Sequence, residues 1–395
     1  MPFKVIIISN YLPDKQDSML LFSELISSLL SNKELIVETI RPIERAGKLR
    51  CFLPKLKKWL FYIDKYLFFP LDLLAHSWKT RGVQDAVYHI TDHSNALYSL
   101  LLHKRPLVVT CHDVLAIRSA ICEIPENPTG FNGKLLQKTI LYGLKRVRRI
   151  VCVSEHTACQ LRRLIGNSSS KITSALNPLN FDYYPLSNEV ALQKTSRLGD
   201  AITNAIRDSF ILHIGGNQWY KNRLGVCKIY TYMARERIGH GFPIPHLILA
   251  GKEPSAELRR YVAENSDLPV RFVISPAPEE LQALYSLATV LLFPSLEEGF
   301  GWPILEAMAC GCPVITTAKS PMTEVGGEGC IYIDPSKISE SARILNEITD
   351  WSDDQRAEHV QNAFTNLQRF SRSDFIEHYL SAYQDILLHK IKDRY

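Results

Sequence analysis

The sequence predicts an α/β protein of two domains, each built on a parallel sheet with helices on both faces. At 395 residues the chain is long enough for two domains that each bury a core. Its 46% hydrophobic and 22% charged residues are typical of a soluble globular protein. Short apolar runs alternate with helical patterns throughout, and this alternation favours doubly wound parallel sheets.

The apolar runs give the predicted strands in chain order. In the first half they are 4–9, 86–90, 107–111 and 149–154, and in the second half 210–215, 246–250, 270–274, 288–293 and 314–317. No clear strand lies between 177 and 207, so the inter-domain linker is placed at 185–200. The predicted domains are therefore 1–185 and 200–370. An amphipathic helix with apolar residues at helical spacing is predicted over 371–395.

The most informative segment is 291–317, LLFPSLEEGFGWPILEAMACGCPVITT. A buried strand precedes a glycine-bearing loop, and Pro303 suits the first position of a short helix. The loop at Phe300, Gly301 and Trp302 then presents backbone N–H groups at a helix N-terminus, an arrangement that binds phosphate. Glu298 lies in the loop, and Glu306 is predicted in the first helical turn. Phosphate on the amides and hydroxyls on the carboxylates would suit a nucleotide-sugar; glutamates that only cap the helix are the structural alternative.

This run resembles the donor-site signature of the family-4 retaining glycosyltransferases, also called glycosyl transferases group 1, which have the GT-B fold. Seven residues separate Glu298 from Glu306, with GFG between them, and the run EAMACGCPV begins at Glu306. The resemblance implies two Rossmann-like doubly wound domains facing an interlobe cleft, with the last helix returning toward the first domain. It also implies that Glu306 binds the ribose hydroxyls and that Glu298, as a catalytic residue, contacts a hydroxyl of the sugar.

A second segment, 210–222, ends a predicted strand in a Gly-Gly turn followed by Lys221. Glycines allow close backbone approach to a ligand, and a lysine supplies a point charge for a diphosphate. The segment resembles the family's G-x(4 or 5)-R-K-[GN] pattern, but Gly216 and Tyr220 stand where many members have arginine. Lys221 would act alone or with Arg223; a solvated lysine is the alternative. The resemblance also implies that the loop after 246–250 approaches the nucleobase. The predicted donor-binding residues are therefore Gly215, Gly216, Asn217, Lys221, Gly251, Lys252, Phe300, Gly301, Trp302 and Glu306.

Histidines lie at or just after the ends of two predicted strands of the first domain. The carboxyl end of a strand in an open α/β sheet faces the ligand. His112 resembles the family's histidine that contacts the transferred sugar, so it is predicted to be catalytic. His89, His93 and Asp113 are predicted on the acceptor side, with a role for Asp113 in orienting the loop or His112. A structural histidine is the alternative in each case, and the first turn at 9–14 lacks the glycines usual in the family.

The segment 48–79 is rich in lysine and aromatic residues. Such a surface suits contact with anionic lipid, and a packed helix with solvated lysines is an equal alternative. The N-terminus does not read as a signal peptide, and no run approaches a membrane span. Nine cysteines without a CxxC pair indicate a reducing compartment. The predicted location is cytoplasmic, with a peripheral position on the inner face of the membrane as an option.

Together these features predict a retaining glycosyltransferase that moves a hexose from a nucleotide diphosphate sugar, GDP-mannose or a UDP-hexose, to an acceptor hydroxyl in polysaccharide or glycolipid assembly. The expected acceptor is a glycan or lipid-linked precursor. A net charge of +5 does not call for nucleic acid, and without a D-x-D motif no metal or other cofactor is expected. The alternatives are a nucleotide-sugar epimerase of the same fold and a non-catalytic nucleotide-sugar-binding membrane scaffold.

Overall fold

The computed structural model of the protein describes residues 3–33, 35–83, 85–166 and 168–392. The chain divides into two compact units. The first unit consists of the chain up to Asn180 together with the chain from Arg372 onward, and the second unit spans Phe181–Ser371. Each unit contains a parallel six-stranded sheet. The predicted α/β class with two Rossmann-like domains is confirmed.

The first unit has the strand order β2-β1-β3-β4-β5-β6. Its strands are β1 Lys4–Ile8, β2 Ile36–Ile40, β3 Ala86–Ile90, β4 Leu107–Cys111, β5 Arg149–Cys152 and β6 Lys171–Ser174. Its first helices are α1 Asp17–Ser31, α2 Lys57–Ile63, α3 Phe69–Lys79, α4 Leu115–Ala120, α5 Phe131–Leu144 and α6 Glu155–Ile165. Strands β1 and β3 end in register, with Ile8 opposite Ile90, so the residues that follow them meet at one edge of the sheet.

The second unit has the order β12-β11-β10-β7-β8-β9. Its strands are β7 Phe210–Gly215, β8 His246–Gly251, β9 Val270–Ile274, β10 Val290–Phe293, β11 Val314–Thr317 and β12 Ile331–Ile333. Its helices are α7 Asn188–Thr195, α8 Asp200–Ala205, α9 Arg223–Gly239, α10 Ala256–Glu264, α11 Pro278–Leu287, α12 Trp302–Ala309, α13 Met322–Gly326, α14 Ile338–Thr349 and α15 Asp353–Leu367. All of β10 is buried, as expected for a parallel strand covered on both faces.

The last helix, α16, spans Arg372–Lys392 and packs on the sheet of the first unit; residues 393–395 of the predicted helix lie outside the described ones. His89 Nδ1 lies 2.8 Å from the Tyr383 hydroxyl, and its Nε2 lies 2.8 Å from Thr110 Oγ1. The Tyr379 hydroxyl bonds to the same Thr110. His89 is fully buried, and burial with the nearby His112 lowers its pKa to about 3. The predicted acceptor-side position of His89 is therefore wrong: it is a core residue that helps dock α16.

Two sequence expectations need correction. The sequence pattern does not predict the edge strands β2, β6 and β12, because IVETI and KITS mix apolar and polar residues and IYI is only three residues long. The segment 185–200, where the inter-domain linker is predicted, contains α7, which Ser187 caps at its N-terminus. The Leu186 N–H donates to Ser286 Oγ at 3.2 Å and fixes this segment to α11. The division between the units falls at Asn180 instead.

Candidate functional site

The carboxyl edge of the second sheet gathers most of the predicted donor-binding residues. Gly215 and Gly251 end β7 and β8 opposite each other. Gly251 has φ +127°, and a Cβ there would lie 2.2 Å from the Gly215 carbonyl oxygen. Glycine at 251 is therefore required by the approach of two strand ends. This packing reason for Gly251 differs from the sequence-based interpretation, in which glycines at this edge allow a ligand to approach the backbone closely.

Lys221 and Glu298 are joined directly at this edge. Lys221 closes a short 3₁₀ turn after β7, and its Nζ donates to Glu298 Oε1 at 2.7 Å. The two side chains are only 17% and 8% exposed. The Leu296 N–H donates to the Tyr220 carbonyl at 2.8 Å and holds the two loops together. Lys221 is thus not a solvated lysine, and its contacts bring together two motifs that lie 77 residues apart.

The loop before α12 has the backbone geometry that the sequence indicated. Gly301 is the N-cap residue with φ +107°, a left-handed conformation that favours glycine. The helix begins at Trp302, so Pro303 is its second residue and Glu306 its fifth. Glu306 therefore lies in the second turn, and its predicted place in the first turn is wrong. The Phe300 side chain is buried against Phe370, with ring centroids 6.1 Å apart. Only the Phe300 backbone remains suited to a donor.

A tyrosine that sequence reasoning missed orients Glu306. The Tyr285 hydroxyl, on α11, donates to Glu306 Oε2 at 2.9 Å. Tyr285 is fully buried, and burial together with the Glu306 charge raises its pKa well above the ordinary value. Tyr183 packs edge-on against Tyr285. In the sequence, Tyr285 lies in the apolar helical run LQALYSLA. That pattern predicts a core residue and does not point to a role in binding.

Asn217 and Arg223 form a brace between the β7 and β8 loops. Arg223 Nη1 donates to Asn217 Oδ1 and to the Lys252 carbonyl, each at 2.9 Å, and Asn217 Nδ2 donates to the Glu253 carbonyl at 2.7 Å. Arg223 is nearly fully buried, which lowers its pKa. Its Nε and Nη2 have no hydrogen-bond partner among the described residues. Arg223 therefore holds the two loops together. These contacts do not support the predicted role in which Arg223 acts with Lys221 on the diphosphate.

His213 lies beneath this edge, inside β7. Its Nδ1 donates to the Leu292 carbonyl at 2.9 Å, while Nε2 has no partner among the described residues. Burial is the main cause that lowers its pKa to about 3, so the ring is neutral. Nothing in the apolar pattern of FILHIG marked this histidine as special.

In the first unit, His112 lies at the end of β4 and is almost buried. Its Nε2 donates to the Thr91 carbonyl at 2.8 Å, and the Phe22 ring meets it edge-on at 4.6 Å. Burial lowers the pKa of His112, although the Asp92 charge and the bond to Thr91 oppose that shift. The ring is therefore neutral near pH 7, with Nδ1 as the nitrogen that does not contact Thr91.

An aspartate that the sequence did not single out, Asp92, organises the same edge. It accepts from Asn10 Nδ2 at 2.6 Å and from the Ser94 N–H at 2.8 Å. Burial works to raise its pKa, but electrostatic attraction to His93 and His112 and the hydrogen bonds from the Ser94 hydroxyl and the Asn10 amide outweigh burial and lower it. His93 Nδ1 lies 3.5 Å from Asp92 Oδ1, so His93 belongs to this cluster.

Asp113 lies next to His112 and has a local structural contact. Its Oδ1 accepts from the Leu115 N–H at 2.9 Å, which shapes the start of α4. This contact agrees with a role in orienting the loop. Its predicted acceptor-side position remains a prediction.

The described residues offer neither a cluster of metal ligands nor a membrane-spanning helix. No group of three or more His, Cys, Asp or Glu side chains within 3–33, 35–83, 85–166 and 168–392 could hold a metal ion. In the same part of the chain, no helix is long and apolar enough to cross a bilayer.

Comparisons with known proteins show which family the chain belongs to. The family model "Glycosyltransferase Family 4" matches residues 39–183, and "Glycosyl transferases group 1" matches residues 211–350. The chain belongs to the family-4 glycosyltransferases of the GT-B fold. The first match includes His112 and most of the first unit, and the second includes Lys221, Glu298 and Glu306.

Curated relatives of this glycosyltransferase include bacterial mannosyltransferases. It is 25% identical to the O-antigen chain mannosyltransferase B of Escherichia coli, over 78% of this chain and 76% of the relative. It is 22% identical to the O-antigen chain mannosyltransferase RfbU of Salmonella typhimurium, over 67% and 71%. Both relatives are thus matched over most of their length.

Solved structures show the same fold. HepE of Anabaena, determined with UDP and glucose, superposes with a TM-score of 0.69 at 16% identity over 97% of this chain and all of that one. Sucrose-phosphate synthase of Thermosynechococcus elongatus gives a TM-score of 0.73 at 18% identity, over 98% of this chain and all of that one.

Proposed function

We propose that this glycosyltransferase moves mannose from a nucleotide diphosphate donor, GDP-mannose in the first instance, to a hydroxyl of a growing polysaccharide or glycolipid, with retention at the anomeric carbon. A UDP-hexose is the second candidate donor. The observation that carries the proposal is the Lys221–Glu298 pair beside the N-terminus of α12, with Glu306 in the same helix. The similarity to two O-antigen chain mannosyltransferases supports mannose and polysaccharide assembly.

The chemistry follows from the charges at this edge. As the bond between the anomeric carbon and the phosphate oxygen breaks, its electron pair goes to the departing diphosphate. The Lys221 ammonium and the backbone N–H groups at the start of α12 stabilise that charge. Glu306, oriented by Tyr285, binds the ribose hydroxyls.

Glu298 is proposed to contact a hydroxyl of the transferred sugar. Because its carboxylate is paired with Lys221, it is a poor nucleophile, which argues against a covalent glycosyl-enzyme. The acceptor oxygen then attacks the face that the diphosphate leaves and passes its proton to a phosphate oxygen. His112 contacts the sugar at the reaction centre in this proposal. The proposed acceptor is lipid-linked, and the proposed location of the protein is the inner face of the membrane.

A donor panel tests this function. Purified protein is incubated with GDP-mannose, UDP-glucose and other nucleotide-sugars, first alone and then with a soluble glycan acceptor. We expect GDP-mannose to raise the melting temperature most and the product to keep the anomeric configuration of the donor by NMR. A changed donor sugar without any acceptor would support an epimerase. Binding without any product would support a non-catalytic scaffold.

A further inference from the structure

A continuous helical segment, 57–79, carries a line of exposed apolar side chains. Helices α2 and α3 are joined by a π-helical turn, Asp64–Phe68, without a break. Seven large side chains, from 38% to 68% exposed, follow one another at intervals of three or four residues from the turn before α2. We call them the apolar stripe: Leu56, Trp59, Ile63, Leu67, Leu71, Leu74 and Trp78.

The π-helical turn keeps this stripe on one face. In an α-helix of 3.6 residues per turn, repeated steps of four drift around the axis. The wider turn at Asp64–Phe68 adds a residue locally, which compensates for the drift between Ile63, Leu67 and Leu71. The local backbone therefore favours one straight apolar face.

The opposite face of the segment is fixed to the first unit. Leu60, Phe61, Phe69 and Leu73 are buried. Asp64 is fully buried and accepts from the Tyr11 hydroxyl at 2.6 Å and from the Ala46 N–H at 2.8 Å. These contacts hold the segment in place, so the fold itself presents the stripe to the outside.

The charged residues of the stretch 45–81, which carries the stripe, are mostly lysine and arginine. Acidic side chains from outside it contact three of its residues: Asp14 pairs with Lys65, Glu44 pairs with Arg50 and Glu38 contacts His76. Between residues 45 and 81 the sequence has nine lysines and arginines and two aspartates. Asp64 is buried, and Asp72 pairs with Arg45. Lys48, Lys55, Lys57 and Lys58 are exposed and form no ion pair with any other described residue.

We propose that the apolar stripe and these lysines form a docking surface for an anionic lipid bilayer, with the segment lying in the plane of the interface. An exposed apolar face flanked by cations is the chemistry that anionic lipid surfaces bind. Pairing with a second copy through the same face would bring like charges together. Charge complementarity therefore favours lipid. This surface goes beyond the proposed donor and acceptor and does not depend on either.

Vesicle co-sedimentation of the full-length protein tests the surface. Vesicles of phosphatidylcholine alone are compared with vesicles that also contain phosphatidylglycerol, at low and high salt. We expect stronger binding to the anionic vesicles, weakened by salt. Trp59→Gln with Leu71→Gln should lower the partition coefficient at least about tenfold, because two large side chains no longer enter the interface. Lys55→Gln, Lys57→Gln and Lys58→Gln should each cost about fivefold on anionic vesicles.

Matched variants on α5 and nearby loops are the controls. Phe131→Gln with Leu135→Gln removes two apolar side chains that are at least as exposed as Trp59 and Leu71. Lys104→Gln with Lys138→Gln and Lys145→Gln removes three exposed lysines. Both sets should bind vesicles like the wild type. Equal binding by stripe and control variants, or no wild-type binding at low salt, would overturn the proposal. So would light scattering that shows a dimer lost only in the stripe variant. Turnover on a soluble acceptor should be unchanged in every variant, which separates this surface from the proposed function.

Discussion

Lys221 Nζ lies 2.7 Å from Glu298 Oε1, and both side chains are mostly buried. The residue proposed to neutralise the donor diphosphate is therefore paired, without donor, with the residue proposed to contact the sugar. Donor phosphate and Glu298 share one ammonium group. Because Lys221 already donates a hydrogen bond to the Glu298 carboxylate, it adds less free energy of binding for a phosphate than an unpaired lysine would.

This shared ammonium predicts opposite effects of two substitutions on nucleotide binding. Lys221→Ala should weaken the affinity for the nucleotide diphosphate by roughly tenfold to a hundredfold, the range of a lost charge-assisted hydrogen bond. Glu298→Gln should leave that affinity unchanged or improve it, since Lys221 loses its competing partner, while turnover falls. Isothermal calorimetry with the diphosphate and a turnover assay measure both. A similar loss of diphosphate affinity in both variants would contradict the shared-ammonium model.

Tyr285 is expected to act through Glu306. Tyr285→Phe removes only the hydroxyl from a fully buried ring, so the fold should survive. Affinity for the ribonucleotide should fall by about tenfold, because one carboxylate oxygen loses its fixed donor. Affinity for the 2′,3′-dideoxy nucleotide should be the same as in the wild type. A core role alone would lower both affinities together, and that outcome would remove Tyr285 from the site.

His112 is expected to affect turnover more than donor affinity. His112→Ala should lower the turnover number roughly tenfold to a hundredfold if the ring contacts the transferred sugar. Nucleotide diphosphate affinity should stay close to the wild-type value. Melting temperature is the control, because the ring also packs on Phe22. A loss in affinity as large as the loss in turnover would argue against this role.

Turnover is expected to persist without a divalent metal, because the sequence has no D-x-D motif to hold one against the diphosphate. The measurement is turnover in excess EDTA after dialysis. Activity that disappears and returns with Mn²⁺ or Mg²⁺ would refute this expectation.

The buried His213 predicts a loss of stability in acid. Its pKa is about 3 in the fold and lies at the ordinary value of 6.5 when unfolded, so the unfolded state binds more protons between these values. The free energy of unfolding therefore carries no penalty from His213 above about pH 6.5, and it falls as the pH drops toward 3. Between pH 7 and 5 the loss is about 2 kcal/mol from this residue. Urea unfolding should show a smaller pH dependence in His213→Asn than in the wild type; the exposed His240→Asn is the control. Equal slopes in His213→Asn and wild type would contradict this account.

Local patterns located the donor motifs but not all their contacts. Gly301, Lys221 and the two glutamates stood out because their residue types and spacing suit a phosphate at a helix N-terminus. Tyr285 and His213 did not, since each lies in an ordinary helical or apolar pattern, and Asp92 did not because it is a single carboxylate in the polar loop after β3. His89 was misassigned because a strand end in the sequence does not reveal which face of the sheet a side chain meets.

The sequence by itself determined the α/β class, the parallel strands with long apolar runs, and the family, because these depend on periodicity and on short contiguous motifs. Only the tertiary structure decided that Lys221 pairs with Glu298 and that Tyr285 supports Glu306. It also decided that one face of 57–79 is buried and the other carries the apolar stripe. Those outcomes depend on which distant segments pack together, and packing between residues tens of positions apart leaves no local signal in the chain.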